Sequence, residues 1–91
     1  MTAQARAHNV TGSGTVVSGP CTYRGFWLNS GAAQTVTIYD GTSATGTVLA
    51  QFTAAAAGEE FSENVPDGIR CDLGIHVNVS ASTVAGSVRA G

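Results

Sequence analysis

Gly74-Ile75-His76-Val77-Asn78-Val79-Ser80 sets Ile75, Val77 and Val79 on one side of an extended chain and His76, Asn78 and Ser80 on the other. Side chains of a strand alternate between faces with period two, so this stretch reads as a strand with one buried face and one wet face. Gln34-Thr35-Val36-Thr37-Ile38-Tyr39 repeats the pattern, with Val36 and Ile38 opposed to Thr35, Thr37 and Tyr39. Residues 83–90 do so again through Val84 and Val88, and Gly86 between them marks a bulge or a close backbone approach. Nowhere do apolar residues hold a 3.6-residue period for more than two turns, and glycine interrupts most candidate helices.

Working outward, residues 14–18, 21–29, 47–52 and 59–65 read as further strands, with 69–71 a short extra pairing. Residues 21–29 are apolar on both faces through Tyr23, Phe26, Trp27 and Leu28, which suits a central or covered strand. Asp40-Gly41 opens a hairpin loop, and Pro66-Asp67-Gly68 predicts a tight turn, with proline setting φ and glycine accepting positive φ. Seven to eight short strands at this spacing predict an all-β fold, a small antiparallel β-sandwich of jelly-roll type, with an immunoglobulin-type sandwich second. Residues 1–14 carry no pattern and read as a flexible N-terminal arm, leaving 15–91 as a single sandwich domain. Ala54-Ala55-Ala56-Ala57 is too short for a stable helix and reads as a close-packed connection.

The chain has 91 residues, of which 11% are charged, a formal charge of −2 and no lysine. An average soluble domain carries about 25% charged residues. Four dispersed arginines cannot displace counterions from phosphates, so nucleic acid is not an expected partner. No apolar run approaches the roughly 20 residues of a membrane span, and the opening residues lack the layout of a secretory signal. A surface of Ala, Gly, Thr and Ser suits contact with other protein, because covering a hydroxyl or methyl costs less than stripping water from a charge.

Few residues suggest chemistry. Gly41 and Gly46 have the glycine spacing of a phosphate loop, but Thr47-Val48 stand where lysine and a helix are required. Glu59, Glu60 and Glu63, with Asn64 and Asp67 nearby, read as edge-strand charges rather than a calcium or acid–base site. His76 lies on a polar strand face with no partner base or nucleophile in its pattern. Asn9-Val10-Thr11 and Asn78-Val79-Ser80 match the glycosylation pattern, which has meaning only in a secreted chain. Cys21 and Cys71 form either a buried thiol pair or a disulfide, the thiol pair being favoured for synthesis in a reducing cytosol. Their spacing to His8 and His76 fits no metal site. Tyr23, Trp27 and Tyr39 are candidate partner contacts, and on one face they would make a carbohydrate platform; core packing is the competing role.

The stretch Thr35-Val36-Thr37-Ile38-Tyr39-Asp40-Gly41-Thr42-Ser43-Ala44-Thr45-Gly46-Thr47-Val48-Leu49-Ala50, followed by Val65-Pro66-Asp67-Gly68-Ile69-Arg70-Cys71 and Gly74-Ile75-His76-Val77, resembles small β-sandwich structural proteins of tailed bacteriophages. The resemblance spans residues 20–80 and is strongest to head decoration (cement) proteins. It implies a virion protein without catalysis or cofactor, made in the host bacterial cytoplasm and placed in many copies on the capsid surface. It also implies association as a homotrimer and binding to the major capsid protein. Similar strand, Asp-Gly-Thr, Gly-Thr-strand stretches occur in tail, baseplate and fibre components, which stands as the alternative. A carbohydrate-binding module is a more distant one.

Overall fold

In the computed structural model, which describes residues 6–81 and 83–91, the alternating stretches form eight antiparallel strands. They are β1 (Arg6–Val10), β2 (Gly14–Ser18), β3 (Cys21–Ser30), β4 (Gln34–Asp40), β5 (Thr47–Ala54), β6 (Glu60–Cys71), β7 (Gly74–Val79) and β8 (Val84–Ala90). The first sheet has the order β1-β8-β3-β6 and the second β2-β7-β4-β5. Strands pair as β1 with β8, β2 with β7, β3 with β6 and β4 with β5, as if a long hairpin bent at residues 41–46 had been rolled up. That is the jelly-roll arrangement, so the sandwich expected from the strand spacing is the fold observed.

The two sheets face one another across a single core. β3 contributes Tyr23, Phe26 and Leu28, β4 contributes Val36 and Ile38, β7 contributes Ile75 and Val77, and β8 contributes Val84, Val88 and Ala90. Ile75 and Val77 point inward as the alternation requires, both fully buried. Where β5 lies over β6 the core is closed by an aromatic pile, Phe26 on Phe52 with ring centroids 5.4 Å apart and Phe52 on Phe61 at 4.2 Å. Ring stacks of this kind add about 0.5–1.5 kcal/mol to the burial itself.

Two expectations need correction. Of the arm predicted over residues 1–14, residues 1–5 lie outside the described residues; Arg6–Val10 is a strand paired in register with β8, and Val10 is buried in the core. Its sequence, Arg-Ala-His-Asn-Val, has a single strong apolar residue, and pairing to β8 rather than intrinsic pattern holds it extended. The sandwich therefore includes β1. The second correction concerns Pro66-Asp67-Gly68, which does not reverse the chain. Register passes from Tyr23↔Ile69 to Gly25↔Asn64, so residues 65–68 bulge outward opposite Arg24 within one continuous strand. Arg24 fills the bulge, its Nη1 donating to the Pro66 carbonyl at 3.0 Å. Proline and Gly68 (φ +75°) supply the kink, and the chain then resumes pairing in the same direction.

Buried polar groups tie the ends of the roll. Gln34 Nε2 donates to Ser30 Oγ (3.0 Å) and to the Thr83 carbonyl (3.1 Å), while its Oε1 accepts from the Ala81 N–H (3.2 Å). This side chain joins the β3–β4 crossing to the β7–β8 crossing at one end of the sandwich. Low dielectric makes such bonds matter, since each unpaired buried group costs about 1–3 kcal/mol.

Candidate functional site

The three aromatic residues singled out from the sequence go to three different environments. Tyr23 is fully buried, and its hydroxyl donates to Glu63 Oε1 at 2.8 Å. Trp27 points away from the core on the outer face of the first sheet, 42% exposed, flanked in register by Ser62 and Ser87. Tyr39 is half-buried on the second sheet, opposite Val48 and His76. The chain passes from one sheet to the other between β3 and β4, so these consecutive strands are not neighbours and their outward residues face opposite directions. The three do not form a row, and the carbohydrate platform loses its geometric basis. Tyr23 is a core residue rather than a partner contact.

Cys21 and Cys71 are brought directly opposite one another on β3 and β6, both as free thiols. Cys71 is fully buried and donates to the Ile69 carbonyl at 3.7 Å. Burial raises both, that of Cys71 to about 12, with the neighbouring Cys21 adding to the rise. The Tyr23 phenol is raised too, first by burial and then by its bond to Glu63. A thiol so raised is a poor nucleophile. Alkylation of Cys71 in the native protein at pH 8 is therefore expected to track unfolding, read by mass spectrometry across a urea series.

The same shifts set a pH dependence. Below about pH 7.5, clear of the ordinary thiol range at about 8.5, these thiols and the phenol are protonated in both folded and unfolded chains, so they add no slope. Above it the unfolded chain releases protons that the folded chain still holds, so stability falls as pH rises toward the folded values. The urea midpoint is expected to fall steadily from about pH 8 upward, and Cys71→Ala to reduce that slope.

Glu59, Glu63 and His76 have structural partners. Glu63 is held by Tyr23, and Glu59 Oε2 accepts from the Ala55 N–H at 3.3 Å. β6, carrying Glu60, Glu63, Pro66 and Asp67, is an edge strand, the place predicted for these acids. His76 Nδ1 lies 3.2 Å from Thr15 Oγ1, whose hydroxyl also reaches the Thr42 carbonyl at 3.1 Å. Among the described residues no three His, Cys, Asp or Glu side chains gather where a metal ion would sit, and no helix is long and apolar enough to cross a membrane. An open depression of about 250 Å³ lies at one end, lined by Arg6, His8, Val17, Pro20, Cys21, Ala90 and Gly91. It places no hydrogen-bonded base beside Cys21 and is shallow.

What the sequence reading missed is the evenness of the second sheet. In β2, β4, β5 and β7 the only Asp, Glu, Lys or Arg is Asp40. Asp40 is already engaged, its oxygens accepting from the N–H groups of Asp72 (3.3 Å) and Leu73 (3.1 Å). The outward side chains are Thr15, Thr35, Thr37, Tyr39, Val48, Gln51, Thr53, His76 and Asn78, several bonded to one another, as in Gln51 Nε2 to Thr37 Oγ1 at 3.0 Å. The result is a face of hydroxyls, amides and small apolar groups, with Tyr39 and His76 among them. Compared with family models, curated proteins and solved structures, the chain matches none.

Proposed function

We propose that this protein is a non-catalytic structural subunit of a tailed-phage particle, a decoration protein seated in many copies on the outer shell and binding the major capsid protein. The observation that carries the reading is the second sheet, an entire face with no outward formal charge. A face of this kind is covered by protein at low desolvation cost and offers dissolved ions or charged substrates little. The jelly-roll fold agrees with the proposal, being an architecture of capsid and lectin domains, although a fold by itself does not specify a job. The resemblance of residues 20–80 to cement proteins supplies the particle. A subunit touching several shell proteins at once turns modest contacts into avidity.

Co-sedimentation tests it. Purified protein mixed with expanded phage heads is expected to pellet with them, and to do so nearly as well in 1 M salt as in 0.1 M, because few charges are involved. Protein that stays in the supernatant at every concentration overturns the reading. Electron-microscopic density on the tail instead of the shell selects the tail, baseplate or fibre alternative.

A further inference from the structure

We infer that the free edge of β5 is a self-association site, at which residues 50–54 pair antiparallel with the same residues of a second copy about a two-fold axis. Each sheet of a sandwich leaves two edges, and an unpaired edge presents bare N–H and C=O groups that template another strand. The four edges here are β1, β6, β2 and β5. β6 is guarded by acids, by Pro66 and by its bulge; β1 carries Arg6; β2 is short and irregular between Thr15 and Val17. β5, Thr47-Val48-Leu49-Ala50-Gln51-Phe52-Thr53-Ala54, has neither charge nor proline. Its register against β4 shifts near Leu49, which confines the regular edge to residues 50–54.

Backbone directions follow from the ladder. The Thr35 carbonyl accepts from the Ser80 N–H at 3.1 Å, so Thr35 points toward β7 and its neighbours Gln34 and Val36 toward β5. Phe52, opposite Val36, and Ala54, opposite Gln34, are thus engaged with β4. Gln51 and Thr53 direct their N–H and C=O groups to the open edge.

The occupant that fits is a second copy, because the stretch Ala50-Gln51-Phe52-Thr53-Ala54 is complementary to its own reverse. With the axis at Phe52, Ala50 meets Ala54 of the second copy and Gln51 meets Thr53. Gln51 and Thr53 are the residues with free backbone groups, so each exchanges both bonds with its opposite number. Phe52 falls opposite Phe52 at the close, non-hydrogen-bonded position, where Cα atoms sit about 4.5 Å apart and side chains touch. Phe52 is only half-buried, stacked between Phe26 and Phe61, and a second Phe52 ring packs against its remaining exposed edge. No like charges oppose one another along these five residues. The contact is isologous and closes on itself. It does not depend on what larger particle the protein serves.

The experiment is the solution mass and edge protection of the full chain and two variants at Thr53. Wild type is expected to show a concentration-dependent mass reaching twice the 9.1 kDa chain. Thr53→Pro removes the outward N–H without touching a β4 ladder bond and is expected to stay monomeric while keeping a cooperative melt. Thr53→Val keeps the N–H, loses only the hydroxyl bonded to Thr35, and is expected to dimerise like wild type. Amide exchange supplies the measurement that survives a misfolded variant: in wild type the Gln51 and Thr53 amides are expected to slow about tenfold or more between dilute and concentrated samples. A monomer at all concentrations, a trimer, a dimer that persists in Thr53→Pro, or concentration-independent exchange at Gln51 and Thr53 overturns the proposal. Failure of this test leaves the shell-binding measurement above to stand or fall by itself.

Discussion

Gly86→Ala is expected to cost about 3 kcal/mol or more, combining a strained backbone with a forced separation of strands. Gly86 sits in β8 at φ +144°, a region that residues with a Cβ rarely adopt. A Cβ built there lies 2.1 Å from the Trp27 carbonyl oxygen and 3.0 Å from Trp27 Cε3. The obstacle is the backbone of β3, the central strand that pairs on both sides, so it cannot move aside without breaking the ladder to β6 as well. A domain of this length has a total stability of about 5–14 kcal/mol, so the loss is a large share of what exists. The control is Gly14→Ala, where a Cβ meets nothing within 4 Å, and that variant is expected to melt within a few degrees of wild type. Equilibrium urea unfolding of the two variants reads the difference, and equal midpoints would refute the close-approach role.

Leu28→Ala is expected to cost about 3 kcal/mol, within the range for removing a fully buried leucine side chain. Its neighbour Trp27, a larger residue, is expected to cost only about 1 kcal/mol on replacement by alanine, because much of its ring area is already in water. Leu28 is 0% exposed and Trp27 42%. The contrast is a test of strand parity: Leu28 faces Phe61 and Gly86 across the inner surface, and Trp27 faces Ser62 and Ser87 on the outer one. Urea midpoints in the reverse order would mean that the strand is turned over. Tryptophan fluorescence gives an independent check, since an indole on the outer face is open to collisional quenchers in the folded state.

The strands that sequence placed well are those with one buried face. Val36 and Ile38 in β4, and Ile75 and Val77 in β7, alternate with Thr and Asn, and a one-residue slip would put all of them in water. β3 was legible as a strand but not in its facing, since Tyr23, Phe26, Trp27 and Leu28 offer apolar groups to both sides. β1 was invisible because its partner, not its own residues, makes it extended. Of the candidate site residues, the opposition of Cys21 to Cys71 depends on a register between strands some fifty positions apart, which no local pattern carries. The bare β5 edge was half legible: its lack of charge stood in the sequence, but its being an edge did not.

Periodicity and turn chemistry by themselves determined an all-β chain of short strands, its core residues in β4, β7 and β8, and a surface poor in charge. Those follow from properties that each stretch of chain carries with it, burial alternating every second residue and glycine or proline breaking the run. Tertiary structure alone decided which strands are edges, that Trp27 and Tyr39 look out from opposite sheets, and that proline and glycine in β6 make a bulge instead of a reversal. Those depend on how strands distant in sequence are rolled together, since a backbone N–H left free or a ring left wet is defined only by the neighbour it lacks.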